Sequence, residues 1–287
     1  MKIAILGGDK REKIMSELLY KKGYEIIILS DIIFSNKDIK FYKDYKNVIK
    51  DAELIYLPLS GVDENNCVKS TFTTEEVKLD SKFISDINEK SMVLIGVNNH
   101  SIKKRFSENN ISYIEMNKLA DLAILNAIPT AEGAIKIAIE KTPYTIFESE
   151  ILITGLGKVG MTLAWRLKAL GANVYVATRD KKAISRGRDF GFKMIDYTDL
   201  EKYLAKINII YNTVPAKIIT ERYLRLLTED TLIVDLASSP GGVDFETAKE
   251  LGIEAFLAPG LPGKIAPETA AKILADKVDN IICEHFK

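Results

Sequence analysis

The stretch "ILITGLGKVGMTLAWRL", beginning at Ile151, runs an apolar strand into Gly155, Gly157 and Gly160 and then into an apolar helix. A strand that stops in glycine and restarts as a helix is the opening of a βαβ unit, whose next strand lies parallel to the first. The chain begins with the same outline, "KIAILGGDKREK", where Gly7 and Gly8 follow an apolar strand. Two such openings half a chain apart predict two parallel sheets, each covered by helices on both faces. A length of 287 residues, above the usual size of one domain, agrees.

Alternation of short β-rich runs with helical spacing extends this reading. Strands are expected at 2–6, 25–29, 52–57, 92–95 and 112–115 in the first half, and at 150–154, 173–177, 207–211, 231–235 and 254–257 in the second. The polar segment Ser60–Asp80 interrupts the rhythm, and a loop of that length is functional or mobile. Pro129 suits the first position of a helix, and Ala131, Ala134, Ile135, Ala138 and Ile139 follow it with the spacing of one apolar face. The expected fold class is therefore α/β with two doubly wound domains. A flavodoxin-like substrate domain (1–128) is joined by a crossover helix (129–143) to a Rossmann NAD(P)-binding domain (144–264). A last helix (265–287) starts at Pro267 and is expected to return to the first domain.

Composition narrows the function. Forty basic and forty acidic residues cancel, which gives no support to nucleic acid or an anionic membrane as partner. No apolar run approaches the roughly 20 residues that span a bilayer, and no signal peptide is apparent, so a cytoplasmic protein is expected. Cys67 and Cys283 have no metal-ligand spacing, and His100 and His285 are the only histidines, so no metal is expected. Both cysteines read as packing residues rather than catalysts. His100 follows a strand in "GVNNHS" and reads as either a general acid–base or an exposed loop residue.

In "GLGKVG", Gly155 makes the tight turn, Gly157 lets a pyrophosphate approach, and Gly160 brings helix and strand together, with Leu156, Lys158 and Val159 completing the loop. The helix start adds free N–H groups and partial positive charge. An NAD site usually ends its second strand in Asp or Glu, which accepts from the ribose 2′-OH. Here Thr178 and Arg179 stand instead, a hydroxyl and a planar cation suited to a 2′-phosphate, with Lys181 and Lys182 close by. NADP is the expected cofactor; NAD remains open if Arg179 stacks on adenine.

Ligands of open α/β sheets lie beyond the carboxyl ends of the strands. Three loops are expected there. "YNTVPAK" places Thr213 and Pro215 beside the nicotinamide, and "VDLASSPGGVDF" offers Ser238, Ser239, Gly241 and Gly242 to a substrate carboxylate. "APGLPGKIAPETA" adds Lys264. In the first domain, "NAIPTAEGA" contributes Asn126, Thr130 and Glu132 as catalytic candidates, although Glu132 in a first helical turn also serves the helix dipole.

Taken together, "GGDKR", "NAIPTAEG", "GLGKVGMT", "NTVP", "DLASSPGG" and "LAPGLPGKIAPETA" resemble, in order and over essentially the whole chain, the A subunit of bacterial dipicolinate synthase. The polar insert "STFTTEEVKL" is similar too. The resemblance implies oxidation of a dihydrodipicolinate to pyridine-2,6-dicarboxylate, on a branch of the lysine pathway, in the mother cell of a sporulating bacterium. It also implies that the partner is a flavoprotein-like B subunit, and assembly into a homo-oligomer is expected. A reductase of another small carboxylate, or a non-catalytic NADP-binding protein, would have the same architecture. Two substrate carboxylates call for two anion sites, for which Arg11 with its neighbour Asp9, and the Ser238–Gly242 loop with Lys264, are the candidates. Asp9 would repel a pyrophosphate, so the cofactor is expected at Gly155–Gly160 and not at Gly7–Gly8.

Overall fold

A computed structural model describes residues 1–32, 36, 38–96 and 99–286. The chain divides into two compact units, Met1–Ala123 with Ala266–Lys287, and Ile124–Ile265. Each unit contains one parallel six-stranded sheet.

In the first unit β1 (Lys2–Leu6), β2 (Glu25–Leu29), β3 (Lys40–Tyr42), β4 (Leu54–Tyr56), β5 (Met92–Ile95) and β6 (Ser112–Glu115) take the order β3-β2-β1-β4-β5-β6. The second unit repeats it with β7 (Glu150–Thr154), β8 (Asn173–Ala177), β9 (Lys193–Ile195), β10 (Ile209–Asn212), β11 (Leu232–Asp235) and β12 (Ala255–Leu257), ordered β9-β8-β7-β10-β11-β12. Without β3 the first sheet would have the flavodoxin-like order 2-1-3-4-5; with it, both sheets have the Rossmann order. Sequence spacing misses β3 and β9 because each is a three-residue edge strand, too short and too exposed to show a period.

The central strands are apolar throughout because both faces are covered. Ile3 and Ile5 enter one core cluster with Met15 and Leu19, while Ala4 and Leu6 enter another with Phe83 and Phe106. Ile151 and Ile153 lie in a cluster with Leu163 and Leu167, and Leu152 lies opposite with Leu204 and Leu224.

The helix Pro267–His285 completes the first unit. Its Ala271, Leu274, Val278 and Ile281 share the cluster of Ile3 and Leu19. Lys22 pairs with Asp276 at 3.1 Å and Asp279 at 2.8 Å.

The long helix differs from the sequence expectation. It runs from Ala120 to Lys141, with Pro129 in its interior rather than at its start. Proline removes the N–H that the carbonyl of Leu125 would otherwise receive, and Leu125 is 46% exposed, where water can replace it. Ala131, Ala134, Ile135 and Ala138 are buried in the second unit's core, but Ile139 is 58% exposed and leaves the expected stripe. This helix has the length and mean hydropathy, 1.4, of a bilayer span. Its alanines nevertheless serve a protein core.

Candidate functional site

The second unit's glycine turn lies at the carboxyl end of β7, where each glycine meets different surroundings. Gly155 has φ +86°, and a Cβ there would come within 2.6 Å of Thr213 Oγ1. A Cβ on Gly160 would meet the carbonyl oxygen of Gly155 at 2.3 Å, so helix and turn touch through backbone alone. Gly157 has nothing within 4 Å of that position. It caps the helix Lys158–Ala169 without a side-chain hydrogen bond, leaving the first N–H groups of that helix for a ligand. Two tight glycines and one open glycine are what a pyrophosphate-binding turn requires.

Beside the turn lies a cavity of about 530 Å³, lined by Leu156, Gly157, Lys158, Thr162, Lys182 and Arg186 among others. Asp180 also faces it, with its carboxylate capping the helix Lys181–Asp189 through Lys182 N and Ala183 N. Thr178 is 8% exposed, and its hydroxyl oxygen accepts from Asp180 N at 3.3 Å, leaving its own proton to donate. Arg179 is exposed, with its guanidinium 5.3 Å from the Tyr197 ring centroid. Among the described residues, Lys158, Arg179, Lys181, Lys182 and Arg186 have no ion-pair partner. Sequence reasoning omitted Arg186, whose only signal was its place one helical turn beyond Lys182 and Ala183.

Two further strand ends, of β10 and β11, meet that of β7 in a buried polar chain. Thr154 Oγ1 donates to Asn212 Oδ1 at 2.6 Å, and Asn212 Nδ2 donates to Asp235 Oδ1 at 2.8 Å. Asp235 Oδ1 also accepts from Ala237 N at 2.9 Å, and its Oδ2 from Gly242 N at 2.6 Å. Thr154, Asn212 and Asp235 are fully buried. Sequence reasoning missed their role, since Thr154 and Asp235 read as ordinary last residues of strands and Asn212 as the residue just after one.

This chain corrects one expectation. The N–H of Gly242 is held by Asp235, and that of Gly241 by Ser238 O at 2.9 Å, so neither is free for a substrate carboxylate. Ser238 and Ser239 are exposed, with hydroxyls that have no partner among the described residues. Lys264 is likewise exposed and without an ion pair among the described residues. Thr213 donates its hydroxyl and its N–H to Thr154 O, at 2.8 and 3.0 Å, and Pro215 beside it is exposed.

The three catalytic candidates are Asn126, Thr130 and Glu132. All three lie well inside the helix Ala120–Lys141, and Thr130 donates its hydroxyl to Asn126 O at 2.8 Å. Glu132 faces Arg166 at 3.4 Å in a groove with Ile135, Trp165 and Leu170, and does not line the cavity at the glycine turn. Its position also excludes the helix-dipole role, because the helix begins twelve residues earlier. His100 is exposed in the first turn of the helix His100–Glu108.

The first unit's glycine turn is filled by its own chain. Gly8 N donates to Lys69 O at 2.9 Å, and Thr71 N donates to Gly8 O at 2.8 Å. A Cβ on Gly7 would meet Val68 Cγ1 at 2.7 Å. The Ser60–Asp80 insert thus occupies the place a phosphate would take. Asp9 caps the helix Lys10–Lys21 and is forked by Arg11, with Nε to Oδ1 at 2.9 Å and Nη2 to Oδ2 at 2.8 Å. Arg11 is only 5% exposed and already neutralised, which corrects the expectation that it is free for a substrate carboxylate. Burial pushes the Asp9 carboxyl up, but the hydrogen bonds and charge of Arg11 outweigh it and hold Asp9 below its usual value. Burial pushes the Glu12 carboxyl above its usual value. Glu12 is fully buried, accepting from Asp9 N at 2.9 Å and Leu59 N at 3.3 Å.

Fold and turn together define a class: a two-unit α/β protein whose second unit is a nicotinamide-dinucleotide-binding domain of dehydrogenase type. Comparison with known proteins agrees. Residues 122–240 match the D-isomer specific 2-hydroxyacid dehydrogenase, NAD binding domain, and residues 2–117 match the N-terminal domain of the A subunit of dipicolinate synthase. The dipicolinate synthase A subunit of Bacillus subtilis (strain 168) is 35% identical over 99% of this chain and 96% of its own length. The crystal structure of its counterpart from Bacillus halodurans superposes with a TM-score of 0.89, at 32% identity over 98% of this chain and 97% of that one. The crystal structure of the Bacillus subtilis protein gives 0.89 at 34% identity, over 99% and 96%. The chain belongs to the family of dipicolinate synthase A subunits.

Two substitution experiments follow. Gly157→Ala is expected to cost under about 1 kcal/mol of stability yet weaken dinucleotide binding about tenfold, whereas Gly160→Ala lowers the melting temperature itself; calorimetry and titration of both variants check this. Arg11→Ala is expected to destabilise the protein by about 2 kcal/mol, less than for a fully buried pair because Asp9 keeps part of its side chain in water. A depressed carboxyl contributes stability above its ordinary value and loses it as pH falls through the depressed one. Denaturant midpoints of wild type and Arg11→Ala should therefore converge as pH drops below the ordinary value of 3.8.

Proposed function

We propose that the chain oxidises a dihydrodipicolinate to pyridine-2,6-dicarboxylate with NADP⁺ as hydride acceptor, working with a B subunit in the cytoplasm of a sporulating mother cell. The observation that carries this reading is the open glycine turn flanked by cations with no ion-pair partner among the described residues, in a chain of this family. Gly155, Gly157 and Gly160 would hold the pyrophosphate with Lys158, while Thr178, Arg179 and Lys182 would hold the 2′-phosphate. A carboxylate at the end of β8 would oppose that phosphate; the one nearby, Asp180, is engaged in capping its own helix.

The bound nicotinamide supplies the hydride acceptor. Aromatising a dihydropyridine releases one hydride and one proton, and the stability of the aromatic product drives the reaction. What remains for the protein is to orient the ring and hold its charges. Ser238 and Ser239 offer two hydroxyl donors to one substrate carboxylate, and Lys264 offers a cation. Arg11 takes no part, since Asp9 already satisfies it. Among the described residues the carboxylate beside the glycine turn is Asp180, which caps its own helix, and this favours water as the proton acceptor.

The cofactor assignment is checked by titrating NADPH and NADH. NADPH should bind more tightly, and Arg179→Ala should weaken it about tenfold while leaving NADH unchanged; equal or tighter NADH binding in the wild type rejects NADP. For the reaction, the chain is mixed with a B subunit, the lysine-pathway precursor and NADP⁺. Nicotinamide absorbance and the ultraviolet absorbance of dipicolinate should rise together. Cofactor binding without product in any combination would sink the enzymatic reading.

A further inference from the structure

The buried chain Thr154–Asn212–Asp235 has a fixed direction. The amide of Asn212 is clamped by one backbone residue: Val214 N donates to Oδ1 at 3.1 Å, and Nδ2 donates to Val214 O at 3.0 Å. Its oxygen and nitrogen therefore cannot exchange places. With Oδ1 set as acceptor, Thr154 must donate; with Nδ2 set as donor, Asp235 must accept. Asn212 thereby makes all four hydrogen bonds of which an amide is capable.

The two ends of the chain are the two working loops. Thr154 immediately precedes Gly155, and its carbonyl receives both donors of Thr213. Asp235 grips the 236–242 segment at both ends, through Ala237 N and Gly242 N. Gly242 O in turn accepts from Ile218 N and Ile219 N, both at 2.9 Å. A Cβ on Gly241 would strike Asp235 Oδ2 at 2.5 Å, and one on Gly242 would strike Asn212 Nδ2 at 2.6 Å. Loop and chain are thus built to one another at van der Waals distance.

All three side chains are fully buried, so none touches a ligand. We propose that Thr154, Asn212 and Asp235 are positioning residues which couple the dinucleotide turn to the Ser238–Gly242 loop, so that cofactor binding tightens the loop assigned to the substrate carboxylate. Restraining Gly155 restrains Thr154, and through two directed hydrogen bonds the carboxylate that anchors Gly242. Such coupling is reciprocal. The inference rests on dinucleotide binding at Gly155–Gly160, but not on the identity of the substrate.

Amide hydrogen exchange, read by mass spectrometry on the full chain, tests it without substrate. The probe is saturating NADPH, or NADH if that binds more tightly. In the wild type, cofactor should slow exchange over 155–162 and, by about fivefold, over 236–243. Thr154→Val, which removes one hydroxyl at constant shape, should keep the first effect and lose the second; Thr154→Ser, which keeps the hydroxyl, should restore it. Asp235→Asn cuts the other end, and should speed exchange over 236–243 in both states and remove the cofactor's effect there. Protection of 236–243 that survives in Thr154→Val would overturn the coupling, as would its absence in the wild type. A failed oxidation assay rejects the substrate reading and leaves this result standing.

Discussion

In a parallel sheet every strand delivers its last residue to the same edge, and there the backbone leaves its ladder and needs new partners. A buried polar group left without one costs about 1–3 kcal/mol. Both units meet that demand with buried polar side chains. In the second, Thr154, Asn212 and Asp235 stand at the ends of β7, β10 and β11 and bind the loops that follow. In the first, Glu12 reaches from a helix to the N–H groups of Asp9 and Leu59, beyond the ends of β1 and β4. The loops are therefore held as parts of the framework.

The two glycine turns show how one topology serves opposite ends. Both follow the first strand of a Rossmann-ordered sheet, where the neighbouring strand reverses the winding direction and opens a crevice. In the second unit the crevice stays open above Gly157, with cations around it that have no ion-pair partner among the described residues. In the first, residues Val68–Thr71 lie in the crevice and pair with Gly8, and the one nearby arginine is neutralised by Asp9. The glycines of the first turn are required by the chain's own close approach, and those of the second suit a ligand's.

Much of this was legible in the residues. Short β-rich runs alternating with helical spacing located ten of the twelve strands, because central parallel strands are apolar on both faces. The glycine turn was legible because each of its positions has a steric reason. Hydrogen-bond use was not. Arg11 looks like a free cation until its fork on Asp9 is seen, and the N–H groups of Gly241 and Gly242 look available until Ser238 and Asp235 are found holding them. Pro129 misled because proline commonly opens helices, while here a long helix admits a buried proline one turn beyond the exposed Leu125. The helix-dipole alternative for Glu132 falls with it, since that role depended on where the helix begins. Partnership between residues far apart in the chain leaves no periodic trace, and Asn212 is the plainest case.

The first unit is assembled from both ends of the chain. Ile3, Met15 and Leu19 find part of their cover in Ala271, Leu274, Val278 and Ile281, which follow the whole second unit. During synthesis, the second unit is a continuous segment that can close its core as it emerges, whereas the first lacks part of the cover of one sheet face until residues 271–281 are made. That part of the core stays incomplete in a nascent chain until the helix from Pro267 to His285 has followed the second unit.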